Sequence, residues 1–199
     1  MKPGGTESTP HEVPMTPMPM KPRILIVDDH PANRMAFESV LEKDYAVTLA
    51  ENGPQALELS RHGELAVILL DVRMPGMDGF ETAEALRKHW ATRHTPILFT
   101  SAYDQHLGQI KKGFVAGATD FLFSPVDGEL LLFKVSTYAA LYLRAEEARL
   151  QVRRLRKMVE SLLADAERPG VPEETLRRRI HELDDALDVL QRQITTSAG

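Results

Sequence analysis

The chain has 199 residues, a length for one domain or one domain with an appendage, and its formal net charge of −5 argues against a protein that coats nucleic acid. With 43% apolar residues it can build a core, and with no cysteine it can form neither a disulfide framework nor a thiolate zinc site. No apolar run approaches the roughly 18 residues that span a bilayer, and residues 1–22 lack the apolar stretch of a secretory signal, so the expectation is a cytoplasmic protein.

Residues 1–22 carry six prolines (Pro3, Pro10, Pro14, Pro17, Pro19, Pro22) with no helical or strand period, which predicts a disordered leader. From Arg23 onward short apolar runs alternate with amphipathic stretches. The runs are Ile24–Val27, Ala66–Leu70, Ile97–Phe99 and Phe121–Phe123, each apolar on consecutive positions, as in a strand covered on both faces of a parallel sheet. Ala46–Ala50 is weaker and reads as an edge strand. Helices are expected at about 31–43, 54–61, 79–89 and 105–116. Five strands alternating with helices predict a doubly wound α/β domain over 23–133, whose ligands bind beyond the carboxyl ends of the strands.

Past Gly128 the strand signals stop. Leu141, Ala145, Ala148, Val152, Leu155, Val159, Leu162 and Ala166 are spaced alternately by four and three, an unbroken heptad seam. Arg168-Pro169-Gly170-Val171-Pro172 breaks the helix, and Leu176, Ile180, Leu183, Leu187, Leu190 and Ile194 resume the spacing. Residues 134–199 are therefore expected to form a helical hairpin. A hairpin leaves part of its stripe wet, so a homodimer through residues 141–194, closing as a four-helix bundle, is predicted. The competing arrangement packs the hairpin on its own α/β domain.

The strand ends carry the candidate chemistry. The first strand ends in Asp28-Asp29, the third in Asp71 and the fourth in Thr100-Ser101. In a doubly wound sheet these strands are central neighbours, so three carboxylates and a hydroxyl converge. Carboxylates packed together repel and demand a counter-cation, and an all-oxygen set suits magnesium. A carboxylate facing solvent beside that ion is arranged for in-line phosphoryl transfer. Taken singly, each Asp is equally a turn or cap residue; their joint occurrence at successive strand ends carries the reading.

Residues 23–133 resemble the receiver domain of two-component response regulators. The resemblance rests on Val27-Asp28-Asp29, Leu70-Asp71-Val72-Arg73-Met74-Pro75-Gly76-Met77-Asp78-Gly79, Pro96-Ile97-Leu98-Phe99-Thr100-Ser101-Ala102 and Ala116-Gly117-Ala118-Thr119-Asp120-Phe121. It implies a five-stranded flavodoxin-like sheet in the order 2-1-3-4-5 and a signalling protein rather than an enzyme, with Asp71 accepting a phosphoryl group from a sensor histidine kinase. It further implies Mg2+ held by Asp29, Asp71 and the backbone carbonyl of Arg73, with Asp28 acting through water. Ser101, directly before Ala102, matches the switch hydroxyl in preference to Thr100, and Phe121 matches the switch aromatic. Pro75, Gly76 and Gly79 would shape the loop after Asp71.

One position departs from the family. Where receivers carry Lys-Pro, this chain reads Ser124-Pro125. A unit-charge pair at 4 Å is worth about 4 kcal/mol at an effective dielectric of 20, so its loss slows transfer by roughly a thousandfold. Arg73, Lys111 and Lys112 are the candidate substitutes. The departure opens a second reading, a phosphorylation-independent pseudo-receiver acting as a dimeric scaffold or protein-interaction module.

Two further features carry less. His181-Glu182-Leu183 resembles the core of histidine-kinase dimerisation helices, but the Arg-Thr-Pro that follows there is absent, and a solvated histidine beside the seam is the better reading. Arg153-Arg154, Arg156-Lys157 and Arg177-Arg178-Arg179 are offset within residues 134–199, which hold 12 cationic and 11 acidic side chains; ion pairs at heptad flanks fit better than nucleic-acid binding. The remaining histidines, His30 among them, show no metal-ligand spacing. The downstream partner is then a protein, engaged by the helices.

Overall fold

A computed structural model describes residues 21–61, 64–102 and 107–196, the side chains of residues 102, 107, 109 and 193–196 excepted. Residues 1–20 of the expected leader lie outside this set. Its last two residues belong to the fold: Lys21 Nζ donates to the carbonyls of Glu42 and Lys43, and Pro22 accepts from Ala46 N–H.

The order is β1 (Arg23–Val27), α1 (Pro31–Leu41), β2 (Ala46–Ala50), α2 (Gly53–Ser60), β3 (Val67–Asp71), α3 (Gly79–Lys88), β4 (Ile97–Ala102), α4 (Leu107–Ala116), β5 (Asp120–Ser124), α5 (Gly128–Ala166) and α6 (Glu173–Thr196). All strands are parallel in the order β2-β1-β3-β4-β5, which makes the weak strand an edge and sets β1, β3 and β4 side by side. This is the flavodoxin-like sheet expected from the resemblance.

Consecutive apolar residues in each strand serve opposite faces, as strand alternation requires. Leu25, Val27, Ile68, Leu70 and Phe99 pack beneath α2, α3 and α4 with Ala56, Phe80, Leu86 and Ala116. Ile24, Ile26, Val67, Leu69, Leu98 and Leu122 pack beneath α1 and α5 with Phe37, Leu41, Leu131 and Val135. The helices start on local signals. Asn52 caps α2 through Gln55 N–H, Asp78 and Glu81 form a capping box on α3, and Asp127 caps α5 through Leu130 N–H.

Helix α5 is continuous for 39 residues, about 58 Å at 1.5 Å per residue. Its first turns belong to the α/β core through Leu131, Val135 and Ala139, so no break falls at residue 133. Its last ties to that core are Tyr138 Oη to Asp120 Oδ2 (3.3 Å) and Tyr142 Oη to Glu64 Oε2 (3.3 Å). Beyond them α5 projects and α6 folds back on it. Leu155, Met158 and Leu162 of α5 and Leu176, Leu183, Ala186 and Leu190 of α6 are partly buried, and Arg179 bonds Ser161 Oγ (2.5 Å) and pairs with Asp165 (3.0 Å).

The expected heptad seam thus divides. Its alternate members Leu155, Leu162, Leu176, Leu183 and Leu190 turn toward the facing helix, whereas Val152, Val159, Ile180 and Leu187 stay exposed. A single helix contact covers one row of a heptad stripe, and the second row needs another neighbour. Met158, which the spacing omitted, fills the hairpin contact; Ile194 lies outside the described side chains. Among the described residues, the helix that α6 packs against is α5.

Leu131 is 1% exposed at the root of α5. Leu131→Ala should lower stability by about 2–5 kcal/mol, read from the urea midpoint by circular dichroism.

Candidate functional site

Two adjacent strands deliver the acids. β1 ends at Val27 and β3 at Asp71, with Val27 in register with Leu70, so Asp28 and Asp71 leave neighbouring strands at the same edge. β4 follows, Asp71 facing Thr100, with Ser101 one residue beyond. The ends of β1, β3 and β4 thus lie side by side at one edge of the sheet.

Asp28 is 2% exposed and fully engaged. Its carboxylate accepts from His30 N–H (2.8 Å) and Asn33 Nδ2 (3.0 Å), and its carbonyl accepts from Arg34 Nη1 (2.7 Å). Arg34 is itself buried and pairs with Glu51 (2.9 Å), which ties the β1 end to the β2 end. Asp29 is more open, and His30 Nδ1 lies 2.8 Å from its Oδ1. Asp28, Asp29 and His30 present ligand atoms within 4.8 Å of one another. This grouping adds His30 to the expected set, although its spacing suggested no metal role. Asn33 and Arg34 were likewise missed; their one signal is their place in the first turn of α1, directly after the acid pair.

Asp71 is half-buried, and its carboxyl is pushed up to about 6. Burial is the main cause, the charge on Asp28 the next, and the N–H of Arg73 opposes both. The site therefore favours a proton or a cation beside Asp71, and its all-carboxylate oxygen donors fit Mg2+. The loop after Asp71 is shaped as expected. Gly76 has φ +78°, and a Cβ at Gly79 would fall 2.2 Å from the Asp71 carbonyl oxygen, so α3 can begin that close only on glycine. Arg73 is exposed.

The hydroxyls differ. Ser101 and Thr100 are both buried, and Thr100 Oγ1 makes no hydrogen bond among the described residues. Strand alternation puts Ser101 on the face of Phe99, the face that Phe121 shares. Phe121 is 7% exposed and turned inward, 5.6 Å from the Phe99 ring and 5.2 Å from Phe114. A Cβ at Gly113 would stand 2.4 Å from Phe121 Cζ, so the ring occupies space left by a missing side chain on α4. Gly113 had no sequence signal.

Ser124 closes β5, opposite Ala102 and followed by a cis bond to Pro125. Of the cations proposed to replace the missing lysine, Lys112 holds its ammonium over the Phe80 ring at 4.3 Å.

The α/β domain is similar to that of known proteins. Residues 24–136 match the family described as the response regulator receiver domain. The chain belongs to that family. It is 39% identical over 131 residues to the response regulator PleD of Caulobacter vibrioides, covering 65% of this chain and 29% of PleD. It is 37% identical over 119 residues to protein PilH of Pseudomonas aeruginosa, covering 59% of this chain and 98% of PilH. Among solved structures, chemotaxis protein CheY4 of Vibrio cholerae superposes with a TM-score of 0.56 at 31% identity, over 59% of this chain and 98% of that one. The receiver domain of the Pseudomonas aeruginosa sensor histidine kinase PA1611, with magnesium coordinated in its active-site cleft, gives 0.56 at 28% identity, over 60% and 98%. Receiver domains take phosphoryl groups from sensor histidine kinases, so the chain is placed in two-component signalling. No described helix is long and apolar enough to cross a membrane.

The elevated Asp71 makes a signed prediction. A carboxyl raised in the folded state destabilises it above the folded pKa and ceases to do so below the unfolded one. Asp71→Asn should therefore stabilise the metal-free protein at pH 8 by up to about 3 kcal/mol, and the gain should vanish at pH 3, measured by urea unfolding at both.

Proposed function

We propose that this receiver domain takes a phosphoryl group onto Asp71 from a sensor histidine kinase and signals through its helical extension, residues 134–199, as a homodimer that engages a downstream protein. The observation that carries the reading is the half-buried Asp71 at the end of β3, level with Asp28 on the adjacent strand, where burial and then the Asp28 charge make a cation beside it favourable. Asp29, Asp71 and the carbonyl of Arg73 would hold Mg2+, with Asp28 behind, itself fixed by Asn33 and His30 N–H. Bound there, Mg2+ supplies the positive charge that the transferring oxygens need.

An oxygen of Asp71 attacks phosphorus in line, the phosphorus–nitrogen bond of the donor phosphohistidine breaks, and its electron pair stays on the imidazole, leaving an acyl phosphate. Ser101 donates its hydroxyl to a phosphoryl oxygen. Phe121, behind it on the same face, follows that movement. The signal then passes to α5, whose Lys134 and Tyr138 bind Asp120, the residue before Phe121.

Ser124 favours a second reading, a pseudo-receiver whose dimeric hairpin is a constitutive scaffold. A serine there gives a hydrogen bond where relatives have a charge, so transfer is expected to be slow.

Incubation with Mg2+ and acetyl phosphate should add one phosphoryl group, detected by intact mass, and the adduct should fail to form with EDTA or in Asp71→Ala. Ser124→Lys should speed its formation, by up to roughly a thousandfold. No adduct in either wild type or Ser124→Lys would leave the scaffold reading standing.

A further inference from the structure

The hairpin has two unlike sides. On one, Arg154, Lys157, Ser161, Arg179 and Glu182, with Met158, line a groove between the helices rimmed mostly by charged side chains. On the other lie Val152 and Val159 of α5 and Ile180 and Leu187 of α6, exposed by 57, 38, 55 and 41%. Each of these four stands three residues before a leucine of the hairpin contact: Leu155, Leu162, Leu183 and Leu190. Because the helices are antiparallel, the same offset in each turns toward the same side, so the two rows form one apolar face. Four such side chains at heptad spacing match the inner row of a four-helix bundle.

Charge selects the occupant and its direction. The contact of Arg179 with Ser161 and Asp165 fixes the height of α6 along α5. Stepping 1.5 Å per residue from there brings the acidic stretch Glu182–Asp188 about level with residues 154–160 of α5, so that it overlaps the end of the basic stretch Arg149–Lys157. Arg153 on α5 and Asp184 on α6 make no ion pair among the described residues. A second copy related by a two-fold axis along the bundle keeps every residue at its height. It sets its own acidic stretch beside this basic one, and the reverse. A two-fold axis across the bundle sets the basic stretch against itself.

We propose that the Val152, Val159, Ile180 and Leu187 face binds a second copy of this chain in a four-helix bundle whose two-fold axis runs along the helices, with both hairpin turns at one end and the charge-rimmed groove left open. This rests on the reading of the extension as a dimeric output and specifies the face and direction that reading leaves open.

The test is analytical ultracentrifugation of the full chain at about 10 μM. Val159→Asp with Leu187→Asp should weaken the dimer at least 100-fold and give a monomer, while Ser161→Ala, in the groove and outside both charged stretches, should leave the dimer intact. Unchanged circular dichroism without denaturant will show that these exposed substitutions spare the fold. A spin label on Glu167→Cys, unique in a chain without cysteine, should report an interchain distance under about 25 Å, since bundle axes lie about 10 Å apart. A distance near the length of α6, about 36 Å, or beyond it overturns the axial arrangement. A dimer that survives both aspartates overturns the face alone. A monomeric wild type overturns dimerisation itself, and phosphoryl transfer to Asp71 is then still read independently by mass.

Discussion

Everything at the carboxyl edge of this sheet follows from like charges held close. Two adjacent parallel strands end at the same height, each in acid, so Asp28 and Asp71 cannot separate without pulling the sheet apart. The chain meets the cost in steps. Asp28 is satisfied by Asn33 and the His30 N–H; Asp29 sits beside the His30 ring. Asp71 keeps its cost, first that of burial and then that of the Asp28 charge, as its raised carboxyl records. The least satisfied group is the one open to an incoming reactant, the inverse of what stability alone would select.

The fold was largely legible because parallel strands covered on both sides must be apolar at consecutive positions, a pattern that Ile24–Val27 and Ala66–Leu70 satisfy without ambiguity. Ala46–Ala50 was weaker because an edge strand has one neighbour, and it proved to be that edge. The acids were legible through position: each directly follows such a run. Their supports were not. Asn33 and Arg34 look like ordinary surface residues of a helical first turn until the strand end is brought beside them. Gly113 carries no pattern, since its role is to leave room for Phe121.

The helical region shows a different limit. The four-three spacing located both helices and their hairpin, but the same spacing serves a two-helix contact and a four-helix bundle. It therefore could not say which row meets the facing helix. Only the three-dimensional pairing separates Leu155 and Leu183 from Val159 and Ile180. It also brings in Met158, whose unbranched side chain fits an irregular gap.

The receiver and the extension share one helix, and that helix has one beginning. Its cap is Asp127 and its first buried residues are Leu131 and Val135, all inside the α/β domain. Starting a helix is the unfavourable step; lengthening it is nearly free. The projecting half of α5 therefore inherits its nucleus from the receiver. Whatever loosens the root of α5 lowers the helicity available at its far end, so the order of the hairpin is itself a readout of the state of the sheet that starts it.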